Sequence, residues 1–247
     1  MVDDGGALDG EATVSAVAGR IDVKVMAQHN AGPSAARNAG ARAARGELLA
    51  FTDDDCRPAP GWLGALSRRY APGAPLGLGG LTINAFGDNI FAEASQLVVD
   101  VGYRHLNEGP QGPRFLTSNN LALPAERFHE IGGFDPSFAT SEDRELCDRW
   151  VARGWSLHYV PEAVVHHFND LTLRTFARQQ FGYGRGAHRF HRTFARRHSG
   201  RIRPEPRFYT RLVSEALGRS PTSRRLKLLG LLAVWLAANG AGYTRQA

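Results

Sequence analysis

The chain has 247 residues, of which 43% are hydrophobic, and carries a formal net charge of +6. This length suits one large domain, or a domain with a tail, and allows a substantial core. The two cysteines, Cys56 and Cys147, show no metal or disulfide spacing, which excludes a cysteine-rich framework and fits a reducing cytosol. The acidic, polar start lacks the pattern of a signal peptide, so we expect a cytoplasmic protein.

The positive charge is concentrated toward the C-terminus. From Arg174 to Arg225 the chain carries fourteen arginines and only two acids, Glu205 and Glu215. Such a block suits an anionic partner (a membrane surface, a nucleic acid or a phosphorylated substrate), or it is a solvated basic face. Only the charge points to a nucleic-acid partner, because the basic block contains no recognised nucleic-acid-binding motif. We therefore expect no nucleic-acid partner.

The first segment predicts alternating strands and helices. A strand begins at Val2, and the alternating pattern from Ile21 to Met26 favours a second one. Ser34 to Arg45 predicts a helix, because it is rich in Ala and Arg and has no β-branched residue. The apolar run Leu48 to Phe51 predicts a short buried strand. This order is typical of βαβ units in a parallel sheet.

Residues 86 to about 168 combine Gly/Pro-rich loops with regular elements. We predict a strand over Phe115 to Leu123, a helix over Glu142 to Arg153 and a strand over Ala163 to Val165.

The remaining residues predict basic helices that end in an apolar stretch. Leu226 to Ala238 is short for a transmembrane helix. It is either an interfacial helix on an anionic membrane or a terminal helix packed on the domain. We therefore expect one domain over residues 1–168 and a helical, Arg-rich extension over residues 169–247.

The acidic run Asp53-Asp54-Asp55 directly follows the predicted strand Leu48 to Phe51. Adjacent carboxylates repel one another, and burial raises their pKa values. A divalent cation removes this cost, since Mg²⁺ and Mn²⁺ bind one or two carboxylates together with substrate phosphates. Ligands of open α/β sheets bind at the carboxyl ends of strands, where this run lies. The alternative is an acidic turn that caps the helix after Pro60.

Several further motifs occur in a fixed order along the chain. They are Val2-Asp3-Asp4-Gly5, Asn30 to Gly40, Gly46-Glu47 leading into the acidic run, Ser118 to Ala122, Gly132-Gly133-Phe134-Asp135, Ser141 to Leu146, and Val164-Val165-His166-His167. The series resembles the family 2 glycosyltransferases, inverting enzymes of the GT-A fold, over roughly residues 2 to 190. The resemblance implies an α/β fold with a Rossmann-like mixed sheet flanked by helices, here followed by a helical basic extension.

The resemblance also implies a donor site for a nucleotide-diphosphate sugar. The residues it assigns to the donor are Asp3, Asp4, Arg37, Asn38, Asp53 and Asp54. Asp53 would approach the ribose, and Asp55 would bind Mn²⁺ or Mg²⁺ with help from Asp53. The alternative for Asn30 to Gly40 is a turn followed by a structural helix that Ser34 caps, with a surface arginine.

Ser141-Glu142-Asp143 opens a predicted helix. Taken alone, the segment is an N-cap followed by acids that favour the positive helix end. The resemblance implies that an acid at this point is the general base, and we predict Asp143, with Glu142 beside it positioning the acceptor. The base would take a proton from an acceptor hydroxyl as its oxygen attacks the anomeric carbon.

The resemblance adds a third metal ligand and an acceptor side. We predict His166, rather than His167, as the ligand, although a histidine at a strand end is more often structural. For the acceptor side we predict Asn119, Asn120, Gly133 and Phe134. The alternative for these residues is turn chemistry, which Asn and Gly readily supply.

One departure from the family pattern concerns the start of the chain. Family members begin with an apolar strand and a helix before the Asp-Asp-Gly strand, whereas this chain begins at that strand. We expect either a start placed too late or a truncated copy.

The predicted function is metal-dependent, inverting transfer of a sugar to an envelope glycan or a lipid-linked saccharide, by a protein peripheral to the inner face of the membrane. The alternative is a non-catalytic relative that binds membrane or an acidic partner through its basic tail.

Overall fold

The computed structural model describes residues 1–6, 9–17, 19–110, 112–200, 202, 205–219 and 221–246. A five-stranded mixed sheet forms its centre, with the strand order β3-β6-β5-β7-β4. The strands are β3 (Leu48–Phe51), β4 (Cys56–Pro58), β5 (Leu76–Asn84), β6 (Leu121–Pro124) and β7 (Ser156–His167).

The register of this sheet positions the acidic run. β5 and β7 are parallel and end together, with Asn84 opposite His167. β4 runs antiparallel to β7 and sets Cys56 opposite the same His167. The acidic run between β3 and β4 is therefore held beside the carboxyl end of β7.

A smaller parallel sheet holds the Asp-Asp-Gly segment. It consists of β1 (Val2–Asp4) and β2 (Met26–Gln28), and in the described part of the chain neither strand pairs with the larger sheet. Gly5 has a φ of +84°, and a Cβ there would lie 2.8 Å from the Cβ of Asn30. This close approach, with a backbone that L side chains rarely adopt, requires glycine at the end of β1.

Nine α-helices and one 3₁₀ turn (Ser118–Asn120) complete the described structure. The helices are α1 (Gly10–Val17), α2 (Pro33–Ala43), α3 (Trp62–Ser67), α4 (Ile90–Asn107), α5 (Ala125–Glu130), α6 (Glu142–Ala152), α7 (Leu173–His198), α8 (Pro206–Leu217) and α9 (Thr222–Arg245).

The three C-terminal helices share a core with α4. Ala94, Leu97 and Val101 of α4 pack with buried side chains of α7, α8 and α9, such as Phe176 and Leu228. The predicted boundary at residue 168 lies in the loop between β7 and α7. The division into two domains stays a prediction, since the extension is joined to the preceding segment through α4.

Helix α9 is, among the described helices, the one long and apolar enough by length and composition to cross a membrane, a test that core helices also pass. One of its faces packs on the protein, with Leu228, Leu232 and Trp235 buried. A Cβ on Gly184 of α7 would overlap the carbonyl oxygen of Asn239 in α9, so the two helices approach closely. Helix α9 therefore packs on the rest of the protein through this face, as expected of a terminal helix packed on the domain.

Two predicted elements have different bounds in the structure, and two observed elements were not predicted. The second strand begins only at Met26, and Phe115 to Leu123 forms an extended segment, the 3₁₀ turn and the start of β6. β5 and α4 were not predicted. The three glycines of β5 are unfavourable in an isolated strand, but here they admit neighbours, since a Cβ on Gly77 would lie 2.7 Å from a methyl carbon of Leu157.

Candidate active site

Arg37 joins three separate segments at the edge of the sheet. Its guanidinium donates to Asp53 Oδ1 over 2.6 Å and to Glu142 Oε1 over 2.8 Å. The Arg37 side chain is 14% exposed and that of Glu142 is 9% exposed, so this charge pair is largely removed from water. A planar, permanently charged guanidinium suits such two-sided pairing. Arg37 thus holds the acidic run against the start of α6.

Asp143 lies next to this ion pair without an ion-pair partner of its own among the described residues. It accepts a hydrogen bond from the main-chain N–H of Arg144 over 2.8 Å, and the N–H of Ser118 lies 3.4 Å from its other oxygen. Burial, reinforced by the charge of Glu142, raises the pKa of Asp143 to about 7. A carboxyl with such a pKa suits general base catalysis near neutral pH.

The loop before α6 is held in an unusual conformation. Ser141 has a φ of +66° and makes no side-chain cap, so the predicted N-cap hydrogen bond is wrong. A Cβ on Gly186 of α7 would overlap Thr140, and the Thr140 hydroxyl donates to the carbonyl of Gly182 over 3.0 Å. Helix α7 therefore fixes the backbone that presents Glu142 and Asp143.

Asp55 and His167 form the candidate metal site. His167 Nε2 lies 3.1 Å from Asp55 Oδ2, and the hydrogen bond between them lowers the pKa of Asp55 against the effect of burial. One ligand atom from each of Asp55, Cys56 and His167 lies within 4.8 Å of the others. Burial, followed by the charge of Asp55, raises the pKa of Cys56 to about 12, so its sulfur remains a neutral thiol. Carboxylate oxygen and imidazole nitrogen are ligands that fit Mn²⁺.

His167, rather than the predicted His166, occupies the position beside Asp55. Consecutive side chains of a strand point to opposite faces, so His166 of β7 lies on the other face. The family resemblance could not distinguish two adjacent histidines, because the distinction depends on the register between β4 and β7. We correct the candidate ligand to His167.

Two predicted contact residues turn inward instead. Asn38 bonds both polar atoms of its side chain to the backbone of Phe134, over 2.7 and 2.9 Å. Asn120 is fully buried and bonds to Trp62 and to the carbonyls of Leu81 and Ala163. These amides are structural, which corrects their assignment to donor and acceptor.

The glycine turn before α6 is likewise structural. Gly133 has a φ of +69°, and a Cβ there would lie 2.5 Å from Asn38 Oδ1. Phe134 is fully buried and packs edge-on against Phe51 at 5.4 Å. The buried side chain of Phe134 cannot contact an acceptor, which corrects its assignment to the acceptor side. The glycine turn instead positions the segment that leads to α6.

The remaining donor candidates are divided between structure and surface. Asp4 accepts from the main-chain N–H groups of Ala31 and Gly32, over 2.9 and 2.8 Å, which lowers its pKa and shapes the loop before α2. Asp3 accepts from Gly6 N over 2.7 Å. Asp54 is exposed at the centre of the acidic run. Ser34, predicted as a helix cap, donates instead to the carbonyl of Phe138 over 3.1 Å.

A cavity of about 860 Å³ opens onto the polar groups described above. Its wall includes Arg37, Asp53, Asp55, Asn119, Glu142, Asp143 and His167. Tyr183 of α7 also lines it and is 38% exposed. Sequence reasoning missed Tyr183, because only the fold of α7 over the cavity distinguishes it from other aromatic residues.

Comparison with known proteins agrees with this geometry. The model of the family described as "Glycosyl transferase family 2" matches residues 1–132. Two curated relatives, each a "Pre-mycofactocin glycosyltransferase" from Mycobacterium tuberculosis (strains CDC 1551 / Oshkosh and ATCC 25618 / H37Rv), are 32% identical over 195 residues. That alignment covers 76% of this chain and 41% of theirs, so the chain spans about two fifths of the length of these relatives.

Solved structures of similar fold are also glycosyltransferases. Mannosyltransferase PcManGT from Pyrobaculum calidifontis, in complex with GDP-Man and Mn²⁺, aligns with a TM-score of 0.56 and 17% identity over 97% of this chain and 65% of its own. GalNAc-T7 with UDP, GalNAc and Mn²⁺ aligns with a TM-score of 0.53 and 14% identity over 97% of this chain and 51% of its own. The matched family model and this shared architecture establish that the chain belongs to glycosyl transferase family 2 and has the GT-A fold.

Proposed function

We propose that this chain is a metal-dependent, inverting glycosyltransferase that moves a sugar from a nucleotide-diphosphate sugar to an acceptor hydroxyl. The proposal rests on one observation: Asp143 and the Asp55–His167 pair line the same cavity. Asp143 is a carboxyl with a pKa of about 7. A general base and a cation site on one cavity are what a displacement at the anomeric carbon requires.

Asp143 is the proposed base. Its carboxylate takes the proton of the acceptor hydroxyl as that oxygen attacks the anomeric carbon, and the nucleoside diphosphate leaves from the opposite side. Glu142 is held by its ion pair with Arg37 and serves to position the neighbouring groups. Arg37 keeps Asp53 at the same edge, where we propose that it meets the donor ribose.

Asp55 and His167 are the proposed protein ligands of a divalent cation. A bound Mn²⁺ or Mg²⁺ would offset negative charge on the donor diphosphate as the sugar bond breaks. The imidazole favours Mn²⁺, since Mg²⁺ prefers oxygen ligands. PcManGT and GalNAc-T7, the structural neighbours, are each described with Mn²⁺.

Two acceptor classes have support. A saccharide or lipid-linked acceptor of the cell envelope fits the basic C-terminal helices, which suit an anionic membrane. Pre-mycofactocin is the second candidate, because the curated relatives carry that name at 32% identity over 195 residues.

We also propose a peripheral location at the inner face of the membrane. Tyr209, Val213 and Leu217 form one exposed apolar stripe along α8, and Leu226 is 67% exposed at the start of α9. Arg225 and Lys227 precede and follow Leu226, so cationic residues lie close to this apolar one at the start of α9. Such a surface suits anionic lipids. We expect co-sedimentation with vesicles containing phosphatidylglycerol, lost in Val213→Asp, and equal recovery of the two proteins would contradict the location.

The proposed activity is tested by donor turnover. Wild-type protein is incubated with Mn²⁺ and a panel of UDP-, GDP- and dTDP-sugars, and release of the nucleoside diphosphate is measured. We expect release from one donor class, at least about a hundredfold slower for Asp143→Asn, and none after EDTA. No release from any donor by wild-type protein would favour the non-catalytic alternative.

A further inference from the structure

The cavity extends well beyond the candidate catalytic groups. On α4 its wall runs from Ala92 to Leu106, which is about 21 Å along a helix. The same cavity is lined by residues of α8 and α9. Among the described residues, no residue of β1 lines it, although the family resemblance places part of the donor site there. The cavity therefore continues from the carboxylates toward the C-terminal helices.

This distant part of the cavity is mainly apolar. We call it the apolar arm and define it by Val98, Leu106, Phe208, Tyr209, Trp235 and Leu236. The ring of Trp235 lies 6.2 Å from that of Phe208 and 6.4 Å from that of Tyr209. Tyr209 is 39% exposed and Leu236 is 54% exposed although both line the cavity, so they mark its opening to solvent.

An apolar wall of this kind does not suit the donor. A nucleoside diphosphate is polar and anionic, and burying its charges among aromatic and aliphatic side chains without partners is costly. Drug-sized ligands bind in cavities of about 300–1,000 Å³ that combine apolar walls with a few placed polar groups. The apolar arm and the carboxylate end together form such a site.

We propose that the apolar arm binds the apolar body of an amphiphilic acceptor, whose hydroxyl then meets Asp143. The proposal rests on the proposed function, and it defines the acceptor as a hydroxyl compound joined to an alkyl or aromatic group rather than a free sugar. The arm selects this class by burying apolar surface, while Asp143 and its neighbours act only on the hydroxyl.

Gly102 offers a direct way to block the apolar arm. It lies on α4 within the cavity wall, and a Cβ there would meet only Phe208, at an ordinary contact distance of 3.8 Å. Gly102→Leu should keep the helix, because leucine favours helices over glycine, while its side chain fills the arm. Gly230→Leu on α9 is the matched control, since a Cβ at Gly230 would meet nothing within 4 Å and this residue does not line the cavity.

The experiment measures binding of hexyl, heptyl and octyl β-glucoside, below their micelle concentrations, by calorimetry with Mn²⁺ and the nucleoside diphosphate. We expect affinity to rise about fourfold per methylene in wild-type protein and in Gly230→Leu, and at least tenfold weaker octyl glucoside binding in Gly102→Leu. Affinity that does not depend on chain length, or that Gly102→Leu leaves unchanged, would overturn the proposal.

Donor turnover separates this inference from the proposed function. It is measured in parallel without acceptor, as slow hydrolysis of the nucleotide sugar. We expect equal hydrolysis in wild-type protein and in the control Gly230→Leu, which lies outside the cavity. Absence of hydrolysis in both proteins would overturn the proposed function itself, whereas intact hydrolysis with chain-length-independent binding would overturn the apolar arm alone.

Discussion

Replacing Asp143 by Asn should make the protein more stable while making it inactive. Burial and the charge of Glu142 raise the pKa of Asp143 from 3.8 to about 7. Above pH 7 the folded protein therefore holds an ionised carboxylate that would be more stable in water. Asparagine keeps the size of the side chain and an oxygen that can accept from the N–H of Arg144, but it carries no charge.

The magnitude follows from linkage. A folded pKa about three units above the unfolded one corresponds to about 4 kcal/mol, at 1.36 kcal/mol per unit. Because the folded state binds the proton more tightly, this contribution to stability is present below pH 4 and is lost as pH rises through 7. Asp143→Asn should thus raise the free energy of unfolding by up to about 4 kcal/mol at pH 8 and change it little at pH 4.

The assay is chemical denaturation of wild type and Asp143→Asn at several pH values between 4 and 8, with EDTA present. Glu162→Gln, an exposed acid on β7, is the control and should leave stability unchanged. Sugar transfer should fall by at least about a hundredfold in Asp143→Asn. An Asp143→Asn protein that is less stable than wild type at pH 8, or equally shifted at every pH, would refute the reasoning.

Three further substitutions test the groups around the base. Arg37→Met should lower the free energy of unfolding by about 3 kcal/mol in denaturant titrations at pH 8, because it leaves a buried carboxylate unpaired, and unchanged stability would contradict the ion-pair account. Gly133→Ala should cost at least about 1 kcal/mol more than Gly132→Ala, since both have positive φ but only the former has a neighbouring atom in its way; equal thermal melts would refute this. Asn120→Leu should cost about 3 kcal/mol in the same titrations, because it leaves buried partners unbonded, and a neutral effect would show that this amide is not a structural anchor.

Local sequence patterns predicted the elements that carry the site. β3 has the predicted bounds Leu48–Phe51, and α6 begins at the predicted Glu142. Each segment can be recognised from its own residues. The first is an apolar run that ends in acidic residues, and the second begins with acidic residues ahead of a helical apolar pattern. Helix α4 was missed although Ala94, Leu97 and Val101 follow a helical spacing, because glycine-rich surroundings favoured loops.

The arrangement of side chains within the site was less predictable. The choice between His166 and His167 depends on which face of β7 meets Asp55, and a shift of one residue reverses that face. Asn38 and Asn120 lie in motifs typical of ligand contacts, yet their amides satisfy buried backbone groups. Sequence spacing cannot distinguish these roles, because the hydrogen-bond partners come from segments distant in the chain.

Binding of Mn²⁺ with a nucleoside diphosphate tests the central claim most directly. GDP and UDP are titrated calorimetrically into wild type, Asp55→Asn, His167→Ala and His166→Ala, each with Mn²⁺ and with EDTA. We predict Mn²⁺-dependent binding that His166→Ala retains and that Asp55→Asn and His167→Ala weaken by at least about tenfold, as expected when a metal ligand is lost. Metal-independent binding, or full affinity in His167→Ala, would contradict the account.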